Sequence, residues 1–248
     1  MTTVAVLADP PVEGVVCRDL IESTPLHAAD GVRLYEAMLT DICRAVEGSG
    51  AQLLLNYRPR EHLDLPESVS PKTRLEGVVS EAVDAPEAVR YEVQVGSTFA
   101  ARAGNTVTHL LEQEGEGSVH VLEPTVPLVS RQAIDSASMK LRRSSVVVSP
   151  ASGGRVGYAG FAETIDFDGA YDAPAVESLV DSAIDAGVDA DFLPGLQPVR
   201  TPADLATVVP EVRARERAGR IYPSATADAI ERLGLRITED ESVTVSRS

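Results

Sequence analysis

The feature that most constrains this chain is its regular alternation of short apolar runs with segments of helical spacing, sustained from the N-terminus to about residue 233. Val4-Ala5-Val6-Leu7-Ala8 is an unbroken apolar run of the length that a parallel strand buried on both faces requires. After a turn-rich stretch from Asp9 to Pro25, Leu34, Ala37, Met38, Ile42, Ala45 and Val46 recur at helical spacing. Gly48-Ser49-Gly50 closes that helix, and Ala51 to Tyr57 is the second strand.

The same grammar continues. Strands are predicted at Arg90–Val95, Ser118–Leu122, Ser145–Val148 and Phe192–Leu193. Helices are predicted at Phe99–Gln113, Ser130–Leu141, Ala175–Ala186, Pro202–Arg217 and Ser224–Leu233. Ser130 reads as an N-cap, and Thr201-Pro202 as a capping residue followed by proline in the first turn. Strands alternating with helices predict an α/β fold, with a mostly parallel, Rossmann-like sheet covered by helices on both faces. No linker composition or repeat divides the chain, so one domain is expected over residues 1–235. Residues 58–86 are polar, carry prolines and read as a loop or insertion, and 236–248 reads as a charged, frayed tail.

Charge and cysteine content narrow the function classes. The formal charge is −16, from 38 acidic and 22 basic residues, and the only lysines are Lys72 and Lys140. A surface so rich in carboxylates suits a halophilic protein, whose self-repulsion salt would screen; an ordinary acidic domain from a GC-rich genome has the same composition. In either case a nucleic-acid partner is not expected, since a phosphate backbone needs a basic face. No apolar run approaches the roughly 18 residues of a membrane span, and no basic leader precedes the first strand. A cytoplasmic protein without a membrane partner is therefore expected. Cys17 and Cys43 form no C-x-x-C pair and the four histidines are scattered, so no zinc site is expected. Gly153, Gly154 and Gly157 lack the spacing and position of a dinucleotide fingerprint, and no serine sits in G-x-S-x-G.

Four strings, in order, carry a resemblance. The first strand runs into Ala8-Asp9-Pro10-Pro11-Val12-Glu13-Gly14-Val15-Val16-Cys17-Arg18-Asp19-Leu20, and a middle strand into Glu123-Pro124-Thr125-Val126-Pro127. Ser149 to Gly160 reads SPASGGRVGYAG, and Gln197-Pro198-Val199-Arg200-Thr201-Pro202-Ala203-Asp204-Leu205 opens a late helix. The chain thereby resembles small GT-A-fold transferases described as glycosyltransferase-like or nucleotide-diphospho-sugar-transferase-like. Their corresponding strings read A-K-A-P-x-P-G-x-V-K-T-R-L, T-D-C-P, G-P-A-x-D-G-G-Y-Y-L-L-G and D-x-D-T-P-E-D-L. The resemblance implies a nucleotide or nucleotide-sugar ligand beyond the strand C-termini, with basic loop groups and Mg²⁺-binding carboxylates set against its phosphates.

The charged positions of those strings are where this sequence departs. Asp9 and Cys17 replace the two lysines and Asp19 the arginine. Thr125 and Arg200 stand in place of aspartates, and the aspartate before the glycine pair is either replaced by Ser152 or deleted. The resemblance thus implies a divergent member that has lost the metal-dependent transfer reaction and retains a nucleotide or sugar ligand. Candidate nucleotide contacts are Ala8, Gly14, Arg18, Gly153 and Gly154. An active glycosyl- or nucleotidyltransferase with relocated ligands is one alternative, with Glu123, Asp166 and Asp168 as its candidate Mg²⁺ carboxylates. For that alternative, Glu36 to Asp41 is faintly similar to guanylyltransferases of coenzyme biosynthesis. A non-catalytic interaction scaffold is the other. Oligomeric state stays open.

Overall fold

The computed structural model describes residues 1–246. A seven-stranded sheet has the order β3-β2-β1-β4-β6-β5-β7, built from β1 (Thr2–Ala8), β2 (Gln52–Tyr57), β3 (Arg90–Val93), β4 (Ser118–Leu122), β5 (Val146–Ala151), β6 (Arg155–Phe161) and β7 (Ala190–Phe192). Six strands run parallel and β6 alone runs against its neighbours β4 and β5. The sheet is therefore mostly parallel, as the alternation predicts. The antiparallel strand arises because only a tight turn, Ser152–Gly154, separates β5 from β6, too short for a crossover.

Both faces are covered. On one side Val4, Val6, Ala8, Leu53 and Leu55 pack with α2 (Ala28–Ser49), α3 (Pro71–Ala82) and α5 (Arg131–Lys140). On the other, Ala5, Leu7 and Leu54 pack with α4 (Phe99–Thr108) and α6 (Ala175–Asp185). The assignment of successive strand residues to opposite clusters is the period-2 geometry of a strand, and explains why these strands are apolar throughout. A third cluster joins α1 (Arg18–Ser23), α7 (Pro202–Arg217) and α8 (Ser224–Arg232) to the free side of α2. There the buried Asp41 carboxylate accepts the Ala225 and Thr226 N–H groups at 3.0 and 2.7 Å, capping α8 from a neighbouring helix.

Three local expectations are corrected. Within residues 58–86 lies α3, whose Leu75, Val79 and Ala82 are buried at the i, i+4, i+7 spacing of a helix face. Ser70 caps it, accepting Thr73 N–H at 3.3 Å, with Pro71 in the first turn. The exposed Lys72, Arg74 and Glu81 are the solvent face of this helix, which gave the segment its loop-like polarity. The tail from 236 is not frayed as far as Val245: β8 (Leu235–Ile237) and β9 (Val243–Val245) form an antiparallel hairpin whose Leu235 and Val243 are buried in the third cluster. The last two residues of that tail lie outside the described residues. Finally, α1 occupies part of the stretch read as turns from Asp9 to Pro25.

Candidate functional site

Because β2 and β3 lie on one side of β1 and β4 on the other, the sheet has a topological switch point beyond the C-terminal ends of β1 and β4. Parallel α/β sheets place ligands there. A crevice of about 280 Å³ opens at that point, walled by the loop after β1, the start of α1, the turn after β4 and the segment before α7. Its charged lining residues are Asp9, Arg18, Asp19, Glu123 and Arg200, with Thr125 between them.

The parallel register sets the first ion pair. Ala8 stands opposite Tyr57, so the next residues, Asp9 and Arg58, leave adjacent strand ends together. The Arg58 guanidinium holds the Asp9 carboxylate through two hydrogen bonds, Nε to Oδ1 and Nη2 to Oδ2, the latter 2.5 Å. Hydrogen bonding to Asp9 raises the Arg58 pKa, against the opposing pull of burial. Beneath them the buried Tyr35 hydroxyl accepts the Asp9 N–H and donates to the Asp9 carbonyl, each at 2.9 Å. Burial pushes that phenol well above its ordinary range, so it stays a neutral donor. Arg102, on the first turns of α4, lies near enough for Arg58 to lower its pKa, although desolvation is the larger cause. Its Nε is buried without a hydrogen-bond partner among the described residues.

The second ion pair crosses from the turn after β4 to the segment before α7. Val199 N–H donates to the Thr125 carbonyl at 2.7 Å, bringing the next residue against the strand end. There Arg200 Nη2 donates to Glu123 Oε2. The segment is held from behind by Asp204, 1% exposed, which accepts from Arg155 Nη1 and Nη2 at 3.0 and 2.5 Å. The same carboxylate accepts from the Arg200 and Thr201 N–H groups at 2.9 Å and from Gln197 Nε2 at 2.6 Å. Burial acts to raise the Asp204 pKa, but these donors outweigh it and hold the carboxyl below its usual range.

The sequence candidates fall into three groups. Arg18 and Glu123 line the crevice, and both are already engaged: Arg18 Nε donates to the Gly14 carbonyl, and Glu123 is paired with Arg200. Gly14, at φ 75° with nothing near its missing side chain, shapes the loop that carries Arg18. Ala8 is fully buried at the end of β1. Gly153 and Gly154 form the β5–β6 turn and do not line the crevice; a side chain on Gly154 would come within 2.8 Å of Pro174. Asp166 and Asp168 do not share a strand face. They lie in the irregular segment after β6, which leaves the sheet beside Val119 and Val146, the ends opposite the crevice. Asp166 Oδ1 accepts Asp168 N–H at 2.9 Å, a local turn contact.

The two strand-end carboxylates of the crevice are not free to ligate a divalent cation. Each strand-end carboxylate, Asp9 and Glu123, already has a guanidinium partner. Among the described residues no three His, Cys, Asp or Glu side chains gather with ligating geometry. Sequence reasoning missed Arg58 and Tyr35. Arg58 had a usable signal, a charged residue directly after the second parallel strand; Tyr35 reaches the site from α2, by folding alone.

No protein-family model matches the chain, and no curated protein matches it in sequence. Similarity appears in the solved structures. A candidate nucleotide-diphospho-sugar transferase from Desulfovibrio desulfuricans G20 superimposes with a TM-score of 0.75 at 17% identity, over 93% of this chain and 95% of that one. A 4-diphosphocytidyl-2C-methyl-D-erythritol synthase from Anaerococcus prevotii DSM 20548 superimposes with a TM-score of 0.51 at 11% identity, over 86% and 98% of the two chains. Among the described residues no helix is long and apolar enough to cross a membrane. The chain has a GT-A-like fold, the α/β architecture of nucleotide-diphospho-sugar-transferase-like and nucleotidyltransferase-like proteins.

Proposed function

We propose that this protein is a divergent nucleotide-diphospho-sugar-transferase-like protein that binds a nucleotide or nucleotide sugar in the crevice beyond β1 and β4 and does not perform metal-dependent transfer. The observation that carries this reading is the neutralisation of both strand-end carboxylates by arginine, Asp9 by Arg58 and Glu123 by Arg200. A carboxylate bridged by a guanidinium is a poor metal ligand, because coordination would leave the arginine unpaired in a partly desolvated wall. The arginines themselves suit phosphate, whose oxygens match their planar donors. The two similar proteins are named for nucleotide chemistry, and the crevice lies where α/β sheets hold such ligands. The acidic composition suits work at high salt, where screening removes the self-repulsion.

Thermal unfolding at high salt tests the reading, against nucleoside triphosphates and nucleotide sugars with Mg²⁺ or with EDTA. A ligand that binds only the native state raises the midpoint by mass action. A rise that persists in EDTA is expected. A rise that requires Mg²⁺ would favour the active transferase, and no rise at saturating ligand would favour the interaction scaffold.

A further inference from the structure

We infer that the Arg200 guanidinium is a built-in cation of the crevice that neutralises the phosphates of a nucleotide ligand without a metal ion. The inference rests on the binding reading above and names the group that does the binding.

Four observations converge on Arg200. Its side chain lines the crevice and is 43% exposed, so a ligand can reach it. It is fixed at two points: Glu123 holds the head, and Asp204 holds the backbone N–H at 2.9 Å. Asp204 is itself buried and gripped by Arg155 and Gln197, so the charge is delivered by a braced segment rather than a loose loop. A braced cation loses little freedom when an anion docks, which is what makes it effective.

The remaining donors of the guanidinium set the ligand class. Arginine carries five N–H donors in a planar fork, and one of them, on Nη2, is shown spent on Glu123. Arg18 lines the same crevice and supplies a second guanidinium. Beside them Thr125 Oγ1 is buried without a hydrogen-bond partner among the described residues. Two guanidinium groups and a hydroxyl around one crevice fit a diphosphate, which presents several oxygens on two phosphorus atoms. Asp19 also lines this wall and would repel the ligand unless turned to solvent or to Arg200, so the affinity expected is moderate.

The test compares native protein, Arg200→Ala and Arg200→Lys by thermal shift and by calorimetric titration with UDP-glucose and with GTP, each in Mg²⁺ and in EDTA. Native protein is expected to bind at least one of them equally well in both. Arg200→Ala is expected to weaken that binding by about tenfold to a hundredfold, the range for losing a charged hydrogen-bonding partner. Arg200→Lys is expected to recover part of it. The unliganded melting temperature of each variant separates loss of fold from loss of binding. Undiminished, metal-independent binding by Arg200→Ala would overturn the inference and leave the binding reading standing. Native binding that appears only with Mg²⁺ would overturn the inference and the loss of metal dependence together. No native binding to either ligand would remove the binding reading itself, and the inference with it.

Discussion

Asp9 and Arg58 are 49 residues apart in sequence and lie bound to each other at the ends of adjacent parallel strands, immediately beyond the paired residues Ala8 and Tyr57. This one contact changes what the first loop is for. At the strand end itself the Asp9 carboxylate is neutralised, and the arginine that neutralises it is held by that carboxylate.

Asp9→Asn should therefore strengthen binding of a phosphate-bearing ligand, because Arg58 is released. Both side chains are 28% exposed and the pair is bidentate, so the variant should also melt lower than native protein in the absence of ligand. Calorimetric titration of the variant with the ligand bound by native protein checks this; unchanged or weaker affinity would remove Arg58 from the site.

Asp204→Ala removes a buried carboxylate that joins β6, Gln197 and the cap of α7. The loss leaves Arg155 unpaired and should cost on the order of 3 kcal/mol, read from the shift in urea midpoint. Because the Asp204 pKa is depressed on folding, its contribution is complete above the ordinary carboxylate range and is lost as pH falls through the depressed value. The native protein should accordingly lose stability in acid more steeply than the variant.

His120 and Tyr158 are buried together between β4 and β6, the imidazole Nδ1 bonded to the phenol. Burial pushes the His120 pKa down to about 3, against 6.5 when free. The unfolded chain therefore binds the extra proton first, and stability should fall with pH from about 6.5 towards about 3, by up to about 1.4 kcal/mol per unit. His120→Asn should flatten that part of the profile, measured by denaturant melts across the range.

Two glycines of the β5–β6 segment should differ widely in what a methyl group costs them. A side chain on Gly157 would meet the Leu196 carbonyl oxygen at 1.9 Å, so Gly157→Ala should prevent native folding of the β6 region, seen as loss of the cooperative melt. Gly153 has open space around it and a φ of 69°, so Gly153→Ala should cost only about 1–2 kcal/mol, the price of a left-handed backbone.

The element grammar of this protein is local, and the sequence determines it. Burial of both strand faces demands the apolar runs of β1, β2 and β4, and helix capping marks α5 and α7 through Ser130 and Thr201. The same rules described α3 through Ser70-Pro71 and the spacing of Leu75, Val79 and Ala82, but its charged solvent face concealed them. Tertiary structure alone decided the site. Asp9 meets Arg58 because β1 pairs with β2 in one register, and Glu123 meets Arg200, 77 residues away, because Val199 bonds to Thr125. It placed Arg18 in the crevice wall with its Nε on the Gly14 carbonyl, and it left Asp166 and Asp168 outside the crevice because β6 runs against the sheet. Residue type and local spacing report which charges a chain carries. Which of them neutralise one another depends on distances set only when strands from distant parts of the sequence pair.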